Sequence, residues 1–208
     1  MEGKFELIWR GATVVSCVIA FAAYRFSRKA NRKQHLITRY GMARDAYGVL
    51  IDDSARKARH LLGSLHWPNK SISREGDERG EVMSAYFAML WAFEQVATGR
   101  ELLLKDSDNK RDKVVEFLDR MITTHVLEFV CTFHEIREKL TESNPDDPVV
   151  DGAYRTAFDG LRDALAETAD EATRRKLHRH TNNSETCGCV CHSVAARPAD
   201  PPRWGTAA

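Results

Sequence analysis

The chain has no proline before Pro68 and no acidic residue between Glu6 and Asp45. The first absence lets its opening third run as uninterrupted helix, because an internal proline removes a backbone donor and clashes with the preceding turn. The second leaves Arg25, Arg28, Lys29, Arg32 and Lys33 without compensation. Strand signals are missing too. No β-branched run alternates with polar residues at period two, and no Asn-Gly or Asp-Gly pair joins two such runs. No glycine-rich phosphate loop follows a strand, so nucleotide hydrolysis has no support. A formal net charge of +1 on 208 residues argues against a dedicated nucleic-acid binder, and none is expected as a partner.

What is present begins with the uncharged run 11–24, GATVVSCVIAFAAY, closed by those five cations. Its 14 residues make roughly 21 Å of helix against a hydrocarbon core of about 30 Å. Extension to Phe5 and Phe26 gives 22 residues, with Arg10 and Arg25 near the ends and Trp9 and Tyr24 at interface depth. This pattern predicts a retained single-pass anchor in residues 1–33 with the lipid bilayer around it. A cleaved signal peptide, with Ala20-Phe21-Ala22 as its small-x-small triplet, and a buried or interfacial helix are the competing readings. The cations downstream of the run oppose the signal peptide and place the rest of the chain in the cytoplasm. The expected location is the cytoplasmic (inner) membrane, N-terminus outside and C-terminus cytoplasmic. In a reducing compartment Cys131, Cys187, Cys189 and Cys191 form no disulfide framework.

Beyond the basic flank the apolar residues keep helical spacing. Leu36, Tyr40, Ala43, Tyr47, Leu50, Ala58, Leu61 and Leu65 predict one long helix, able to continue from the span, that faces the core of a bundle, with a short self-associating seam as the competing reading. Residues 66–80, rich in Pro, Asn, Ser and Gly, predict a turn. A second helix carries Val82, Tyr86, Met89, Phe93 and Val96, with Gly99 placed to end or bend it. A third, over about residues 111–140, presents Val114, Leu118, Met121, His125, Phe129, Phe133, Ile136 and Leu140 on one face. Pro145 and Pro148 mark a stop, and a fourth helix is expected over residues 153–178. The fold class is therefore all-α: an N-terminal transmembrane helix followed by a cytoplasmic bundle of about four helices in residues 34–180. Residues 181–208 are small, polar and proline-rich, which predicts a disordered tail.

The anchor, the basic flank and the helix running from Tyr86-Phe87 through Phe93-Glu94 to Gly99 resemble a family of uncharacterised single-pass bacterial membrane proteins grouped as a domain of unknown function. The resemblance covers about residues 5–140. It implies a bacterial or prophage setting and no activity.

Chemistry-bearing residues concentrate in the tail. Cys187, Cys189, Cys191 and His192 offer four soft or borderline ligands within six residues, a set zinc or Cu(I) accepts. Single-residue gaps strain tetrahedral closure by one strand, so an exposed thiol-rich tail is the competing reading. Arg120 and His125, like Arg175 and His180, match the Arg-x4-His spacing of ribonucleases with a helical HEPN-type fold. Residues five apart lie about 140° apart on a regular helix, which favours His125 as a core residue. His134-Glu135 begins like a zinc-protease motif, but Glu138 stands where the second histidine is required. The run Arg174, Arg175, Lys176, His178 and Arg179 suits a solvated helix end.

The expectation is a non-enzymatic, membrane-anchored interaction or scaffold module with a protein partner or a second copy of itself. The alternatives are a membrane-tethered HEPN-like ribonuclease using Arg120 and His125, and a metal or redox sensor built on the cysteine tail.

Overall fold

The computed structural model describes residues 2–68, 70–73, 77–107 and 112–178, with side chains from residue 19 onward. Among the described residues every regular element is helical: α1 Glu2–Ile51, α2 Asp53–His66, α3 Glu78–Lys105, α4 Lys113–Ser143, α5 Gly152–Thr168 and α6 Glu171–His178. The chain divides into two compact units, Met1–Met42 and Ala43–Ala208, so the division falls inside α1.

The expected transmembrane helix is corrected. Among the described residues no helix is long and apolar enough to cross a membrane. The uncharged run is too short, it is rich in Ala, Gly, Ser and Thr, and extending it takes in Arg10 and Arg25. With the span go the single-pass topology, the inner-membrane location and the orientation argument, which had meaning only for a segment that crosses.

The long helix expected through residue 65 is interrupted. Asp52 takes an extended backbone (φ −64°, ψ 169°), and its side chain accepts the Ala55 amide at 2.7 Å, starting α2 afresh. An aspartate at that position satisfies one of the orphan amides of the new helix. On the other side of the break Arg59 donates to the Leu50 carbonyl at 2.6 Å, closing the end of α1.

In the second unit α3 is central and packs on α2, α4 and α5, while α4 also meets α2 and α6. The core between α3, α4 and α5 is aromatic. Phe93, Phe129, Phe133 and Phe158 stand 4.9–5.8 Å apart, mostly edge to face, with Tyr86 against Phe133 at 5.4 Å. Such pairs add about 0.5–1.5 kcal/mol each beyond the area they bury.

Gly99 does not end α3, which continues to Lys105. A Cβ on Gly99 would lie 2.9 Å from that of Ala46, so the glycine is the notch that lets α1 and α3 approach. The fourth expected helix is two, because Asp170 caps α6 by accepting the Thr173 amide and hydroxyl at 2.9 and 2.8 Å. Between α4 and α5 the chain is strapped down. Arg79 bonds the Asp147 carboxylate and carbonyl at 2.8 and 2.7 Å, and buried Asp151 accepts from the Tyr86 hydroxyl at 2.5 Å.

Candidate functional site

Chemistry-bearing side chains gather at several places among the described residues. The first is a cavity of about 780 Å³ between the C-terminal part of α3, the N-terminal half of α4 and the α5–α6 junction. Its base holds an ion pair: Arg100 donates from Nε and Nη2 to the two carboxylate oxygens of Asp119 at 2.7 and 3.0 Å, both residues buried. Pairing matters here because an unpartnered charge at such depth costs several kcal/mol. Two helix N-termini open on the cavity, and each already has an aspartate. Asp112 accepts the Val114 amide at 2.7 Å, and Asp170 caps α6. The Thr173 amide bond holds the Asp170 carboxyl below its usual range. Arg120, Glu116, Glu167 and several threonines form the rest of the polar lining.

The second place is the junction of α1, α2 and α4. The Tyr47 hydroxyl lies 3.4 Å from His125 Nε2, with the rings 5.7 Å apart. Burial, and then the Arg59 guanidinium, hold the His125 imidazole below the usual histidine range. Burial pushes the Glu128 carboxyl up against the opposing pull of the same arginine. His125 is thus a neutral, half-buried ring packed on a tyrosine.

The structure does not bring Arg120 and His125 together. They occupy one unbroken helix, Arg120 lines the cavity, and His125 faces Tyr47 outside its lining. His134 reaches Glu138 at 3.3 Å, one turn along an exposed face. Cys131 is partly buried and in no disulfide. Cys187, Cys189, Cys191, His192 and His180 lie outside the described residues. Among the described residues no group of three or more His, Cys, Asp or Glu side chains is placed to hold a metal ion.

The third place is the surface of α1 between residues 19 and 42. Ile19, Phe21, Tyr24, Phe26, Leu36, Ile37, Tyr40 and Met42 are all exposed, Phe26 to 78 %. Arg25 sits over the Phe21 ring at 5.8 Å.

Periodicity had marked neither Arg100 nor Asp119. The available signal was Arg100 itself, a charge standing 18 positions, or five turns, beyond Val82 on the apolar stripe of its helix. A charge on such a stripe needs a partner within the core.

No family model matches the chain, and no curated protein or solved structure matches it either.

Proposed function

We propose that this protein is a helical interaction module that works by binding another protein through α1 rather than by catalysis. The observation that carries the reading is the exposed surface of α1, where eight large apolar side chains face solvent within 24 residues. Apolar area of that extent on a single element is a mark of a binding surface. The same stretch carries exposed Arg25, Arg28, Lys29, Arg32 and Lys33 and no carboxylate, so the matching surface is acidic as well as apolar. A second copy is a poor fit. Pairing α1 with itself, in either direction, opposes cation to cation, and like charges in contact are repulsive.

Photo-crosslinking at Phe26 and Ile37 of the full-length chain in its native cells tests the reading. The expected product joins α1 to one acidic protein at both positions, disappears in Arg28→Glu/Arg32→Glu, and is absent with the probe at Thr98 on α3. Crosslinks only between copies of the chain, or none above the Thr98 control, overturn it.

A further inference from the structure

We propose that the cavity beside the Arg100–Asp119 pair is a ligand site for a basic amino-acid residue with a free carboxylate. Most of its charge is already matched from within. Asp119 is neutralised by Arg100, and Asp112 and Asp170 are spent on the N-termini of α4 and α6. Those termini carry about half a positive charge each, which the two caps complement. A small anion therefore finds no open helix end.

Three charges on the lining remain without any hydrogen bond or ion pair among the described residues: Arg120, Glu116 and Glu167. Arg120 and Glu116 are one turn apart on α4, hence neighbours on one face. Glu167 lies across the cavity at the end of α5. A ligand that answers all three brings one carboxylate for the guanidinium, which binds it bidentately, and cationic groups for the two glutamates. Between the poles Val115, Leu127 and Leu165 offer apolar surface for a methylene stem. Free lysine and arginine have this make-up, and as the last residue of a peptide each keeps the carboxylate and the side-chain cation that span the cavity. The volume of about 780 Å³ lies within the range of small-molecule sites and leaves room for a preceding residue.

Calorimetry and thermal unfolding of the full chain with L-lysine, cadaverine, L-norleucine, Gly-Gly-Lys and Gly-Gly-Lys-amide, at matched ionic strength, test this inference. L-lysine or Gly-Gly-Lys should bind and raise Tm, and the stronger of the two identifies the source as free residue or peptide end. Cadaverine, norleucine and the amide, each lacking one pole, should bind at least tenfold more weakly. Arg120→Gln should erase the preference for lysine over cadaverine, and Glu167→Gln should erase that over norleucine. Both side chains are exposed, so both variants should keep the wild-type Tm without ligand. No response to lysine or Gly-Gly-Lys, equal binding of cadaverine or the amide, or wild-type selectivity in Arg120→Gln overturns the proposal. None of these results depends on whether α1 binds a protein.

Discussion

Arg100 and Asp119, from different helices, meet as a two-pronged ion pair at 2.7 and 3.0 Å with both side chains about nine-tenths buried. Removing one partner strands the other charge at a site about nine-tenths withdrawn from water. Asp119→Ala should cost about 3–5 kcal/mol, whereas Arg100→Met/Asp119→Leu should fall within about 1–2 kcal/mol of wild type or above it. Chemical denaturation of the two variants checks the contrast; equal losses would mean that the pair is more hydrated than its burial indicates.

Tyr86 sets an alkaline limit. Burial, followed by the Asp151 carboxylate, pushes its phenol above the usual value of 10.0. A folded-state value above the unfolded one contributes stability that is complete below the unfolded value and lost as pH rises beyond it. Stability should therefore decline above about pH 10, and Tyr86→Phe should lessen that decline while costing about 1 kcal/mol at neutral pH. Urea midpoints between pH 8 and 11 read both effects.

His125 acts with the opposite sign on the acid side. Its folded-state value lies below 6.5, so its contribution is present above that pH and lost as pH falls through the depressed value. Glu128, raised from 4.5, contributes fully below that value and loses its contribution as pH rises. His125→Gln should remove the destabilising component between pH 7 and 5, and Glu128→Gln should leave it in place. If His125 serves packing alone, the full chain should leave RNA intact. RNA cleavage abolished by His125→Gln at unchanged Tm would restore the nuclease reading.

Gly99→Ala sets two effects against each other. Alanine is worth about 1 kcal/mol over glycine within a helix, but its methyl would lie 2.9 Å from Ala46 Cβ, and overpacking of this kind costs about 1–3 kcal/mol. The net change should be destabilising. Adding Ala46→Gly should recover part of it, and a thermal-melt double-mutant cycle measures the coupling.

Sequence patterning made the all-α class legible, because the stripes Val82 to Val96 and Val114 to Leu140 repeat at helical spacing over many turns. Breaks produced by a single capping carboxylate were less legible. Asp52 and Asp170 interrupt helices whose apolar spacing continues across the break. Gly99 misled for a different reason: a glycine that stops a helix and one that admits a neighbour look alike until the neighbour is known. The anchor expectation weighed flanking charge above length, and the cavity was invisible because it joins residues more than 70 positions apart along the chain.

The aromatic core determines how unfolding can be observed. Tyrosine and phenylalanine fill the space between α3, α4 and α5, while Trp67 and Trp91 stand 57 % and 59 % exposed. Both rings are more than half exposed before melting as after it, so emission from these two positions is a poor reporter of the transition. Near-ultraviolet dichroism of Tyr86, held between Phe87 and Phe133, reports loss of core packing directly.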